Sequence, residues 1–589
     1  MVTFTAERFS PKRLSPRRIK AKIEPQLHWK VPMEKGVYKV SFDISFAFTR
    51  SMSSQGSWVA DKSSKDPRWS NPDLDPVKPE DRTWGAVDYW AYWTSDMLAP
   101  PLSSTVSAVM SLGFTARETI PIVFCGFLLC SGALTLTGKM GARYNVAFPV
   151  LVRSIFGMYG SYPVIVLRSF VAAMWTAILC VQAGDFLNNC ITAIWPSFAN
   201  FPNHLPESAG ITSAGLLCFF LYWMAQTILA CMPIKKLRIL FLVKGIIVPP
   251  TFLALFLWGA IVTHGGGPLV TGHAKMTSSY MNTAYSALTA LNSIIGLFSS
   301  MAVNFPDFAR FSKNNLAGYN QVLALPIIGT LGALCPIFVT SAHSYLWGSF
   351  EWYMPAVIAK FDSRAAKFFT AFSFILATIG NQIAAGSYPF SNDISGLCPK
   401  YINIFRATLI ISLFCVVSNP WQIIKNASGL LAFLSGYSMF MGAICGTMCS
   451  QYYLILNKKL NIHELYNGHG IYRYSKVGIN WRAYASFFIA VAPLLPGFSK
   501  SINNSLDVGG IWKIYTFSCI YGFVVSGLTY YLICRYVSDV GPAKIDEAVY
   551  PPGKSQTGDV EVGSADSEQD SYEEKNGVVE VAVGAKELK

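Results

Sequence analysis

Two adjacent prolines, Pro100 and Pro101, follow a carboxylate, Asp96, inside the first long apolar stretch of this chain. A proline has no N–H, and its ring disfavours helix at the residue before it, so carbonyls near Asp96 and Met97 lose their helical partners. The predicted break runs through Met97, Leu98, Ala99, Pro100 and Pro101. In hydrocarbon, unwound backbone offers carbonyls to a cation and a helix amino terminus to an anionic or hydrogen-bonding group. A carboxylate at that depth adds a place where a proton can be held. The chemistry these residues suit is the binding and movement of a solute and an ion. Bond-making chemistry has no comparable support, because no nucleophile, base and orienting residue come at a recognisable spacing.

Three further apolar stretches carry polar residues at similar depth. The third has Arg168, Trp175, Thr176, Gln182 and Asp185, with Trp175 and Gln182 seven apart and so on one face of a helix. The sixth has Asn292, Gly296, Ser299 and Ser300 in its middle and ends in Asn304, Pro306 and Asp307. The eighth has Thr378, Gly380, Asn381, Gln382, Gly386 and Ser387 before Asp393. An interruption of the sixth stretch at Gly296 to Ser300, five spans after the first, is the pattern of an inverted repeat of five helices, with a binding site between the repeats. Plainer readings stand beside these: a proline kink with Asp96 at the interface, a helix cap for either aspartate, and an interfacial belt role for Trp175.

The elements that must hold these residues are membrane helices. The chain of 589 residues is 52% hydrophobic and only 14% charged, with 40 Phe, 28 Tyr and 15 Trp, which excludes an ordinary soluble domain of this size. Apolar runs fall near 87–112, 119–138, 161–187, 211–231, 238–262, 285–305, 320–345, 366–390, 407–419, 428–456, 483–498 and 514–534. About twenty apolar residues cross the bilayer as a helix, so these predict an all-α polytopic protein of about twelve spans, the ninth looking short. The short alternating segments of a membrane β-barrel are missing.

A basic amino-terminal arm (Lys12, Arg13, Arg17, Arg18, Lys20, Lys22) predicts a cytoplasmic amino terminus. Alternate loops are basic too, among them Lys139, Arg143 and Arg153, then Lys235, Lys236 and Arg238, then Lys458, Lys459 and Arg473. The net charge of +14 is therefore an orientation signal, and no polar domain is long enough to make it a nucleic-acid footprint. The 13 cysteines lack metal-ligand spacing and are expected to be lipid-facing or packing residues. From about Ser538 the chain turns acidic and loses apolar periodicity, so residues 538–589 are expected to form a disordered cytoplasmic tail. Its Lys575, Lys586 and Lys589 are candidate ubiquitin acceptors, which would make a ubiquitin ligase a partner beside the lipid bilayer itself.

Several segments carry a resemblance to a known family. NPDLDPVKPEDRTWG (Asn71 to Gly85), YNVAFPVLVRSIFGMYGSYPVIVLRS (Tyr144 to Ser169), AVNFPDFARFSK (Ala302 to Lys313), FLSGYSMFMG (Phe433 to Gly442) and GINWRA (Gly478 to Ala483) resemble the fungal permeases for uracil, uridine and allantoin of the nucleobase-cation-symport-1 family. The likeness runs from about Asn71 to Val537. It implies a LeuT-like five-plus-five inverted repeat and two further helices. The implied organisation is a cytoplasmic arm 1–83, a first repeat 84–262, a second repeat 285–456, two last spans within 478–537, and the tail.

The resemblance also implies a function: plasma-membrane uptake of a nucleobase, nucleoside or related heterocycle, with a proton as the coupling ion ahead of sodium and no resident cofactor or metal. Carried over, the family's stacking Trp falls on Trp175 and its sixth-span aromatic on Phe298, beside Gly296. Where uracil-type members have a Gln four residues after that Trp, this chain has Leu179. Gly386 stands for an Asn, and Asn381 with Gln382 for a Thr-Asn pair. The hydroxyl pair that holds sodium in bacterial relatives is replaced by Gly380 and Asn381. These residues put the substrate site at Trp175, Leu179, Gly296, Phe298, Gln382 and Gly386, and ion coupling at Asp96, Asn381 and Asp393. A greasier, roomier pocket leaves two alternatives open, a vitamin-type substrate such as thiamine or nicotinamide riboside, and a receptor that keeps the fold without transporting.

Overall fold

The computed structural model describes residues 68–232, 234–272 and 282–540. The basic arm before Arg68, the side chains of Lys235, Lys236 and Arg238, and the tail with its three lysines lie outside the described residues.

The first span is two helices, α1 (Ala86–Met97) and α2 (Pro100–Met110). Spans two to five are α3 (Ala116–Tyr144), α4 (Ser161–Ile194), α5 (Ser213–Ala230) and α6 (Ile234–Val262). The sixth is α7 (Thr283–Asn304) with the short α8 (Pro306–Ala309), and the seventh is α9 (Gln321–Trp347). The eighth is α10 (Arg364–Asn381) continuing through a π-type turn into α11 (Tyr388–Leu397). The last four are α12 (Ile404–Val417), α13 (Ala427–Cys449), α14 (Trp481–Val491) with α15 (Leu495–Ile502), and α16 (Ser518–Leu532). Among the described residues, ten helical stretches are long and apolar enough to cross a membrane; the shorter α12 and the split first span complete the twelve expected. Among the described residues there is no strand beyond a lone bridge between Trp84 and Ser312.

Short polar side chains set several helix starts. Those of Thr212, Asn282, Ser363, Asn403 and Asn426 accept from the backbone N–H groups of Gly215, Tyr285, Ala366, Arg406 and Gly429. Each satisfies a helix donor that lipid could not. Burial sorts the helices: α4, α7 and α13 lie inside, with 78% of their apolar windows buried, whereas α6 and α16 lie outside at 22%. Small residues allow close packing, as where α13 meets α16: a Cβ added at Gly442 would sit 2.3 Å from the Cys519 carbonyl oxygen.

The prolines act as the sequence predicts. The helical partners of the Asp96 and Met97 carbonyls would be the N–H groups of residues 100 and 101, which proline lacks. The chain crosses the gap with Ala99 N–H donating to the Met97 carbonyl at 2.8 Å, and restarts with Pro100 at the first helical position. The sixth span differs from expectation. α7 is continuous through Gly296 to Ser300, and the interruption comes at Phe305, where Pro306 starts α8. Gly296 marks a close approach, since a Cβ there would lie 2.9 Å from the Leu434 carbonyl oxygen.

The described residues of the expected arm, from Arg68 on, pack against the bundle. Trp69 and Leu74 are buried. The Trp69 carbonyl accepts from Arg153 at 2.9 Å, the Leu74 carbonyl from Tyr466 at 2.7 Å, and Asn71 donates to Pro399 at 3.4 Å. Three loops distant in sequence are thereby tied to one short segment.

Candidate substrate and ion site

The break between α1 and α2 opens onto a small cavity of about 40 Å³ lined by α1, α2, α4, α7, α10 and the π-type turn. Asp96, Pro101, Trp175, Leu179, Phe298, Asn381 and Gly386 all line it, with Ala172, Ser300 and Met301 among the rest. A volume of that order holds a water or two, so the site must widen to take a heterocycle.

Two aromatic walls are held rigidly. Trp175 Nε1 donates to the Tyr437 hydroxyl at 3.0 Å, which donates to the Gly296 carbonyl at 2.5 Å. The indole has no polar atom left to turn toward a ligand, and what it offers is its π face. Phe298 is fixed between Trp93 and Phe127, at ring distances of 5.6 and 5.9 Å. Leu179 adds an apolar wall one turn beyond Trp175. Gly386 brings the backbone close to α4, where a Cβ would lie 2.3 Å from Thr176 Oγ1.

The polar wall is built on the helix break. Asn381 Nδ2 donates to the Asp96 carbonyl at 3.0 Å and to its carboxylate Oδ1 at 2.7 Å. The amide thus takes one of the two carbonyls that the prolines leave free. Asp96 Oδ2 is buried with no hydrogen-bond partner.

Sequence reasoning missed the positive charge nearby. Lys244 of α6 is buried, at 1% exposure, one residue across from the Asn381 that holds Asp96. It packs against Gly380, where an added Cβ would be 2.6 Å from Lys244 Cδ. Gly380 therefore makes room for the lysine stem beside the position the resemblance assigned to a sodium-binding hydroxyl. The signal was present in the sequence: FLVKGIIVPP puts one charge inside an apolar run, which is costly in hydrocarbon.

Three expected site residues lie elsewhere. Gln382 faces away, donating to the Thr176 carbonyl at 2.8 Å and accepting from Tyr222 at 2.8 Å. Gly296 contributes its carbonyl to Tyr437 and does not line the cavity. Asp393 is closed into an ion pair with Arg168 and accepts from Ser169 Oγ at 3.0 Å. With its charge neutralised at that contact, it is a strut between α4 and α11. Gln182 likewise joins α4 to α2 through Ser104 at 3.0 Å. Of the break residues, Pro101 reaches the cavity, while Met97 and Leu98 point toward Gly329 and Gly332 of α9. No group of three or more metal-ligating side chains occurs among the described residues.

A polytopic helical bundle with a broken helix opening onto an enclosed, aromatic-walled cavity defines a membrane transporter. Residues 76–522 match the family described as permeases for cytosine/purines, uracil, thiamine and allantoin, and the chain belongs to that family of transporters. An uncharacterised permease of Schizosaccharomyces pombe is 31% identical over 83% of this chain and 88% of its own length. The uracil permease of Saccharomyces cerevisiae is 28% identical over 79% of this chain and 76% of its own. The fold is that of the nucleobase-cation-symport-1 transporter Mhp1, solved closed with bromovinylhydantoin bound: TM-score 0.63 at 18% identity, covering 79% of this chain and 95% of that one.

Proposed function

We propose that this permease is a proton-coupled importer of a flat nitrogen heterocycle of the uracil, uridine and allantoin class, acting at the plasma membrane with both termini cytoplasmic. The observation that carries the reading is that Asp96, Trp175 and Phe298 line one cavity, with the buried Lys244 packed on Gly380 next to Asn381. The aromatic walls suit stacking on a planar ring. Asp96 Oδ2, which has no hydrogen-bond partner, suits a ring N–H donor.

The ion assignment rests on Lys244. A fixed ammonium beside Asn381 and the break repels sodium where a sodium site would need oxygen ligands. The Asp96 carboxylate, one oxygen of which has no hydrogen-bond partner, can take up a proton without any such site. The relatives support the substrate class, as they include uracil and uridine permeases of Saccharomyces cerevisiae and an allantoin permease of Bacillus subtilis.

A second reading is favoured by the Asp96 oxygen that has no partner. A carboxylate between two aromatic faces also suits a positively charged ring, as in thiamine or nicotinamide riboside. The experiment is uptake of labelled uracil, uridine, allantoin, thiamine and nicotinamide riboside in cells lacking their own carriers, with and without sodium and across external pH. Accumulation that collapses with a protonophore and ignores sodium is expected. Binding without accumulation would instead make the protein a receptor, and sodium-dependent accumulation would overturn the coupling.

A further inference from the structure

A second cavity of about 730 Å³ lies on the outer side of the bundle, between α6, the end of α9 and the start of α10. Its floor is a single stripe of α6: Pro250, Ala254, Trp258 and Val262 recur every four residues and so share a face. Twelve residues of helix rise about 18 Å, close to the roughly 15 Å depth of one leaflet's hydrocarbon. The groove thus runs from mid-membrane, at the paired prolines of α6, to the end where α9 stops.

The mouth at that end has both signs of charge. Lys360 and Asp362 both line the cavity, and both are exposed. The Lys360 ammonium stands 5.6 Å from the Trp347 ring centroid, and Trp258 packs 5.0 Å from Phe361. Indoles with a lysine at a helix end mark the headgroup level of a bilayer.

We propose that this groove is a binding site for one zwitterionic glycerophospholipid taken from the bilayer. One acyl chain lies along the α6 stripe, the phosphate sits against Lys360, and the headgroup ammonium turns toward Asp362. Length selects an acyl chain and the charge pair selects the headgroup. A purely anionic lipid would satisfy the lysine but face the aspartate unfavourably, and a glycolipid would offer neither charge. Because α6 also carries Lys244, the lipid would bear on the helix that presents that ammonium.

The test uses the full-length protein, purified in mild detergent and exposed separately to phosphatidylcholine, phosphatidylglycerol and diglucosyl-diacylglycerol, with retained lipid counted by native mass spectrometry. The wild type should keep one phosphatidylcholine per chain and at least fivefold less of the other two. Ala254→Trp and Ala366→Trp, from opposite walls and both at exposed positions, should each lose the retained lipid while keeping a wild-type melting temperature. The double variant Lys360→Ala with Asp362→Ala should bind the three lipids alike. Equal retention of phosphatidylglycerol by the wild type would overturn the headgroup assignment. Undiminished retention in both tryptophan variants, or no retained lipid at all, would overturn the site.

Discussion

The side-chain amide of Asn381 donates to both the backbone carbonyl and the carboxylate of Asp96, at 3.0 and 2.7 Å. One residue of the eighth span thus holds the break in the first and aims its acid, and the two broken elements act as one site. Asn381→Leu removes both donors and leaves two buried acceptors unsatisfied, a cost of about 1 to 3 kcal/mol, or roughly five- to a hundredfold. The loss should fall on transport affinity, read as a raised KM in uptake assays with surface expression monitored by a fluorescent tag.

Asp96 and Lys244 should fail together. Asp96→Asn and Lys244→Met are each expected to abolish accumulation above the external concentration and to flatten the pH dependence of what remains. Unchanged proton dependence in Lys244→Met would remove the lysine from coupling. The double variant should restore folding better than either single one, because a lone buried charge costs more than none; melting temperatures in detergent check this.

Tyr437 offers a test of the stacking wall that spares Trp175. Tyr437→Phe removes the hydroxyl to which the indole donates, while keeping the ring that packs on Phe433. The freed indole should raise KM about five- to tenfold with little change in expression, an effect of about 1 kcal/mol. Trp175→Ala should abolish uptake altogether.

Asp393 should behave as a structural residue. Asp393→Asn takes the ion-pair partner from the buried Arg168 and leaves it the Pro389 carbonyl, and breaking a buried pair typically costs about 3 to 5 kcal/mol. The expected readout is a large fall in folded protein by size-exclusion chromatography. Any protein that survives should keep its pH dependence, since its proton site is elsewhere.

Leu179→Gln would return a buried amide to the position four residues after Trp175. If the chain carries a uracil-type ligand, competition by uracil should sharpen by up to about a hundredfold, a gain of roughly 1 to 3 kcal/mol. No gain would point to a substrate that makes no contact there.

Much of this arrangement was legible from helix breakers and apolar length alone. Pro100 and Pro101 fixed the position of the first break to the residue, because a missing N–H is a local fact that packing cannot reverse. The family resemblance is what joined Trp175 and Asn381 to Asp96 in one expected site. What the sequence could not supply was which side of a helix looks inward. Gln382 is adjacent to Asn381, yet a wide turn starts there, and each extra residue in a turn rotates everything after it. Asp393, eleven residues further on, consequently meets Arg168 rather than the cavity. Gly296 was misread because a glycine inside a membrane helix signals close approach as readily as a break. Lys244 carries the same weight in the sequence as a carboxylate or a proline pair, since a lone cation in an apolar run is as costly in hydrocarbon.

The missing N–H groups at Pro100 and Pro101 have a further consequence. Helices that unwind by competition with a ligand or a neighbour can rewind when it leaves, and their polar groups then vanish from the site. Here no conformation of the chain can return the Asp96 and Met97 carbonyls to an α-helix, since the N–H groups that would bond them at that spacing do not exist. Whatever partner these acceptors take, here Asn381 and the Ala99 N–H, it is never the α-helical one, and that is written into covalent structure.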